Sequence, residues 1–278
     1  MPQIPSVPRP GLLLALACAT LPALAQDRPA QPLWEVGAFG AAYSQQAYPG
    51  ADHQVKGAIA LPYVIYRGKY FRADRNALGV RALKTPTMEL DIGVSGSFGS
   101  SFDDIEARHG MPDLGTLVEF GPRLKLDLGP AFGGGGWRAE LPLRGVFDLS
   151  DGAAHRGIAF EPALIYERAS AGGWSYSAGV SAVFADRKLA DTFYGVAPRY
   201  ATPQRPAYTA DGGLAAWRLS LLATRKLAPD WRLFTYARLQ TVAGAANESS
   251  PLVRRKGGAT VGIGVAYTWA QSDRLAED

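Results

Sequence analysis

Hydrophobic and polar residues alternate strictly along two segments within residues 88–128, separated by one polar loop. In the first, Met88, Leu90, Ile92, Val94 and Phe98 share one parity, and Glu89, Asp91, Gly93, Ser95, Ser97 and Gly99 take the other. In the second, Leu114, Thr116, Val118, Phe120, Leu124, Leu126 and Leu128 oppose Glu119, Gly121, Arg123, Lys125 and Asp127. Successive side chains on a strand point to opposite faces, so each segment predicts a strand with one apolar and one charged or small face. Both exceed the usual strand of about 5–6 residues. Both reach the ~9–11 residues with which a tilted strand crosses a bilayer. Two architectures fit: an antiparallel sandwich with one wet face, and a transmembrane barrel with its apolar face toward lipid and its charged face toward a lumen.

The same alternation returns over residues 137–148, 157–168, 174–184, 215–225, 231–242 and 259–269. Residues 57–67 place Ile59, Leu61, Tyr63 and Ile65 on one face. Residues 34–43 alternate less cleanly, and residues 70–83 are extended but broken around Asp74-Arg75-Asn76. Turn signals punctuate the runs: Tyr48-Pro49-Gly50-Ala51-Asp52, Gly129-Pro130, Ser150-Asp151-Gly152, Gly172-Gly173 and Ala228-Pro229-Asp230.

Loop lengths favour the barrel. With the C-terminus in the periplasm, the long loops 100–112, 186–213 and 243–257 fall on one side, and the short turns 129–136, 169–173 and 227–230 on the other. Outer-membrane barrels have that asymmetry. It also sorts the aromatics. Trp34, Trp137, Trp174, Trp231 and Trp269 fall at the periplasmic end, and Phe98, Phe147 and Phe184 at the opposite end. Rings with an apolar body and a polar tip favour the membrane–water boundary, whereas a sandwich has no reason to sort them. The expected fold is all-β, an up-and-down antiparallel transmembrane barrel. Eleven runs are counted, with alternation poorest between Trp34 and Leu83; both termini in the periplasm require an even number, so twelve strands are expected, with ten as the alternative.

Residues 1–25 fit a cleavable secretory signal: Arg9 is the only charge, an apolar stretch follows, and Ala23-Leu24-Ala25 precedes Gln26. The resulting organisation is a signal at 1–25, a lead-in at 26–33, the barrel at 34–269 and a polar tail at 270–278. Cleavage removes Cys18, the only cysteine, and with it thiol chemistry. Removing Arg9 from 29 basic residues leaves 28 against 25 acidic ones, a formal charge of +3. These charges are dispersed, so nucleic acid is not an expected partner. Outer-membrane lipid is.

Inward positions on this reading include Glu89, Asp91, Glu119, Arg123, Lys125, Glu140, Arg144, Glu161, Glu167, Arg232 and Arg238. Both signs are interspersed, which favours ion pairs filling a narrow lumen over a charge-selective pore. Candidate chemistry is sparse. His53, His109 and His155 all lie in turns or loops, and nothing brings Asp52-His53 and Asp103-Asp104 together as a water-activating pair. The glycine run 133–136 lacks the Lys-Ser/Thr of a phosphate loop. No catalytic residue, cofactor or metal is expected.

Several motifs together resemble the MipA/OmpV family of outer-membrane proteins. They are Tyr48-Pro49-Gly50-Ala51-Asp52, then Ala107-Arg108-His109-Gly110-Met111-Pro112-Asp113-Leu114 with Glu119 and Gly121-Pro122. Next come Asp191-Thr192-Phe193-Tyr194-Gly195-Val196, Tyr208 with Gly212-Gly213, Ser249-Ser250-Pro251-Leu252-Val253 and the run 262–269. The tail beyond Trp269 departs from barrels that end on an aromatic residue. The resemblance implies a scaffold role, linking a lytic transglycosylase to a murein synthase of the penicillin-binding class. It also admits a small porin for polar solutes, or an adhesin working through its long loops. It carries no catalytic residues. The Pro, Gly and Asp of its motifs suit loop shaping, so residues 108–114 read first as an ordered re-entry turn and second as a partner contact.

Overall fold

The computed structural model describes residues 31–69, 71–74, 77–97, 105–169 and 173–276. The expected signal, Cys18, Phe98, Asp103 and Asp104 lie outside the described residues. Thirteen strands are described: β1 (Trp34–Gln46), β2 (Gln54–Arg67), β3 (Phe71–Asp74), β4 (Ala77–Lys84), β5 (Met88–Ser97), β6 (Leu117–Pro130), β7 (Gly136–Asp148), β8 (Ala154–Phe160), β9 (Ala163–Arg168), β10 (Trp174–Ala185), β11 (Gly213–Ala228), β12 (Trp231–Thr241) and β13 (Gly257–Gln271). They form one antiparallel meander in which successive strands pair, except that β8 and β9 each pair with β7 and β10 and not with one another, and β13 returns to pair with β1 from Glu35↔Gln271 to Ser44↔Val261. The sheet is therefore closed.

β8 and β9 are one strand position. Leu143↔Phe160 and Glu140↔Ala163 hold the same register against β7, and Phe184↔Phe160 and Ser181↔Ala163 hold it against β10. The break falls at Glu161-Pro162, where proline has no N–H for the ladder. Counting them as one gives a twelve-stranded barrel. The twelfth strand comes from the irregular stretch 70–83, counted as one run in the sequence, which splits into β3 and β4.

Alternation dictates which side chains meet lipid. Val94, Phe120, Leu143, Ile158, Leu164, Val180, Leu219, Leu239, Val261 and Ile263 are all exposed and all on the outer parity. β2 reverses the simple pattern. Tyr63 and Ile65 turn inward, Tyr63 sharing a hydrogen bond of 2.7 Å with Thr268 Oγ1, while Val64 and Tyr66 face out. Trp34, Trp137, Trp174, Trp231 and Trp269 sit at the end bearing the chain termini. Trp231 packs 4.8 Å from Tyr267, and Trp137 lies 5.5 Å from Tyr166. The sixth tryptophan, Trp217, lies at the other end of the barrel with Phe147 and Phe184.

The last strand runs two residues past Trp269, and the tail then pairs with the lead-in. Leu33 N donates to Arg274 O (2.8 Å), Ala276 N to Gln31 O (2.7 Å), and Pro32 and Leu275 form a bridge. The region 186–213, read from sequence as plain loop, holds a helix, α1 (Arg187–Tyr194), capped by the Asp186 carboxylate accepting from Leu189 N at 2.8 Å.

A charge placed on the lipid face at mid-strand tests the orientation. Ile263→Arg should destabilise the bilayer-inserted barrel by ~2–4 kcal/mol relative to Ile263→Leu, measured by reversible urea unfolding in phospholipid vesicles.

Candidate functional site: a packed cap over a charged lumen

At the end opposite the termini, the connections fold over the barrel mouth and pack on one another. Tyr48, Ala51, Ile105, Leu114, Leu189, Tyr194, Val196, Ala210 and Leu252 come from four separate connections and form one buried apolar cluster. It continues into the wall through Leu117, Val146, Ala185 and Ala215. Burying this apolar surface drives the loops inward instead of leaving them in water.

Polar groups fix the geometry. Tyr48 Oη donates to Leu252 O at 2.7 Å, and Ser250 Oγ donates to Tyr194 O at 2.7 Å, both buried. Gln46 Nε2 donates to Ala51 O at 2.7 Å, and Arg254 N and Arg255 N both donate to Gly50 O. Val196 and Tyr208 exchange backbone bonds of 2.8 and 3.0 Å. Asn247 and Asp211 exchange side-chain-to-backbone bonds of 2.7 and 2.9 Å. Arg108 is buried and reaches the C-terminal end of α1, donating to Phe193 O (3.2 Å) and to Pro112 O (3.2 Å). A cation there meets the negative pole of the helix and its unpaired carbonyls. Residues 108–114 are thus tied into the cap as the chain turns back toward β6.

The strand wall makes room for α1 at Gly157. Its φ of +132° is a region other residues rarely adopt, and a Cβ there would strike the Asp186 carboxylate and Leu189. Burial raises the Tyr48 pKa from 10.0 to about 12, and raises that of Tyr194 likewise. Burial lowers that of Arg108, which stays charged.

Below the cap the lumen is laced with ions. One run of alternating sign crosses neighbouring strands: Arg81–Glu89 (3.0 Å), Glu89–Lys125 (2.7 Å), Lys125–Asp91 (2.7 Å), Asp91–Arg123 (2.9 Å), Arg123–Glu140 (3.5 Å), Glu140–Arg138 (3.0 Å) and Arg138–Glu167 (2.8 Å). Directly opposed positions carry it, as in Glu89↔Lys125 and Asp91↔Arg123. Glu161 takes Arg218 at 2.8 Å and a bond from Ser181 at 2.7 Å; Arg144 stands 3.8 Å from Glu119. Near the termini, Glu35 and Arg67 form a buried pair at 2.7 Å. Arg232 and Arg238 take the inward parity with no ion-pair partner among the described residues. Between cap and ion lattice lies a chamber of about 590 Å³.

His53 and His109 lie in connections, whereas His155, expected in a turn, stands on β8 with its ring tilted against Phe147 at a centroid distance of 5.3 Å. Among the described residues no three potential ligands cluster to hold a metal. Sequence reasoning had assigned the cap residues to separate loops. The signal that could have united them is the apolar content of those loops: Ile105, Leu189, Val196 and Leu252 gain nothing in water.

Two outcomes follow for the cap. Gly157→Ala should displace α1 and cost about 1–3 kcal/mol, read as a lower urea midpoint and faster amide exchange over 187–194. The second concerns alkaline pH. Between pH 10.0 and about 12 the unfolded chain ionises at Tyr48 before the folded one does. Stability therefore falls as pH rises through that window, by about 1.4 kcal/mol per pH unit for one tyrosine. Thermal denaturation should show this fall in the wild type and a shallower one in Tyr48→Phe.

A search of curated proteins finds no match. Solved barrels resemble the chain at low identity. The translocator domain of the autotransporter NalP from Neisseria meningitidis is 10% identical, covering 87% of this chain and 90% of that one, with a TM-score of 0.49. The COG4313 outer membrane channel from Pseudomonas putida F1 is 11% identical, covering 88% and 98%, with a TM-score of 0.41. The model of the family described as MltA-interacting protein MipA matches residues 36–269, from the first strand to the last tryptophan. This outer-membrane β-barrel protein belongs to the MipA family.

Proposed function

We propose that this protein is a non-enzymatic outer-membrane scaffold that docks a periplasmic lytic transglycosylase and, through it, a murein synthase of the penicillin-binding class. Membership of a family described as MltA-interacting supports the first partner. The observation that carries the choice among barrel functions is the cap. Four connections close the mouth around one buried apolar cluster, with Leu252 and Ala210 wholly inaccessible. A mouth covered in this way favours a barrel of fixed shape over a wide pore for bulk solute flow. The same inward folding removes the extended loops that an adhesin would present. With the cap outside, the periplasmic end consists of short turns and the paired chain ends, Gln31–Leu33 and Arg274–Ala276. That end is where an enzyme anchored near murein would meet the protein.

Two measurements test the reading. Detergent-purified protein on a column should retain an MltA-type lytic transglycosylase at low salt, above the level of an unrelated barrel. Absence of retention overturns the scaffold. In planar bilayers, protein with heat-modifiable gel mobility should be silent; discrete conductance steps would favour the porin instead.

A further inference from the structure

Among the described residues, the chamber under the cap holds more arginine than it has carboxylates free to pair with it. Arg144, Arg218 and Arg238 line it, facing Glu119, Glu140 and Glu161. Glu140 is already shared between Arg123 and Arg138 outside the chamber. Two carboxylates therefore serve three guanidinium groups. Arg218 holds Glu161 and Arg144 stands near Glu119, so Arg238 is the surplus. Its guanidinium carbon lies 6.0 Å from the centroid of the Tyr236 ring, and among the described residues no carboxylate stands within ion-pair distance. The Nε atoms of Arg218 and Arg238 are both buried and donate no hydrogen bond. A desolvated, unmatched donor is costly, and two beside one space mark a place for an acceptor.

Register brings the groups together. Ser220 opposes Arg238 while Arg218 opposes Gln240, so the two arginines are diagonal neighbours on adjacent strands. Diagonal pairs lie about 7–8 Å apart, within reach of one anionic group held between long side chains. Guanidinium forks suit carboxylate or phosphate oxygens. The chamber roof is the underside of the cap, where Leu189 and Phe193 present apolar surface. Its volume lies within the range of small-ligand sites, ~300–1,000 Å³.

We propose that this chamber binds a small amphipathic organic anion. The anionic head, carboxylate or phosphate, lies between Arg238 and Arg218, and an apolar body lies against Leu189 and Phe193. This site is independent of the docking role.

Isothermal titration of the detergent-solubilised, full-length barrel tests it with three probes of similar shape: benzoate, phenyl phosphate and neutral benzamide. Benzoate or phenyl phosphate should bind at one equivalent, at least tenfold more tightly than benzamide, and the stronger of the two identifies the head group. Arg238→Gln should weaken that binding at least tenfold, while Arg232→Gln, outside the chamber, should leave it unchanged. Glu161→Gln releases Arg218 and should tighten it several-fold, a gain that a damaged fold would not give. Equal binding of all three probes, no binding of either anion, or unchanged affinity in Arg238→Gln overturns the proposal.

Discussion

Backbone amides inside hydrocarbon have no water to bond with, so a sheet crossing a membrane cannot keep a free edge. The seam between β1 and β13 meets that demand here. Ten residue pairs join the first strand to the last, and the ladder continues beyond the wall as the lead-in pairs with the tail. Every other feature presupposes this closure. The outer parity can be apolar because it meets lipid on all sides. The inner parity can be ionic because it is shut away from lipid.

Closure creates a second problem, a narrow interior holding many charges. Buried ions are tolerated when paired, and the alternating run from Arg81 to Glu167 pairs them across five strand positions. Pairs of this kind need not add net stability over an apolar filling. What they provide is a defined register: slipping one strand by a residue would turn its charges to lipid. At the cap the filling changes character. There the interior is aromatic and aliphatic, and its polar atoms are tied to backbone carbonyls by Tyr48, Ser250 and Arg108. The barrel is held shut by ordinary globular packing at one mouth and by ion pairing in the middle.

The wall was legible in the sequence because period-two alternation is written residue by residue. Met88 to Val94 and Leu117 to Lys125 need only their own neighbours to declare their faces. β3 and β4 were not legible as a pair, since four residues give no period. β2 shows another limit: apolar residues of both parities leave the facing to distant partners, Thr268 for Tyr63 and Glu35 for Arg67. The inward charges could be placed, but not their pairing, which depends on stagger between strands. The cap was the least legible, because it joins residues some two hundred positions apart, such as Tyr48 and Leu252. Tyr48, Arg108, Tyr194 and Ser250, all within the quoted motifs, meet in it. Only tertiary contact shows that they form one object.

The ladder between lead-in and tail has a topological consequence. Both ends of the described chain emerge side by side, on the face away from the cap. Gln31 and Ala276 are bonded to one another there, so chain continuing from one sets out beside the other. Both would be reached from the same aqueous compartment, and a protease confined to the far side would find neither.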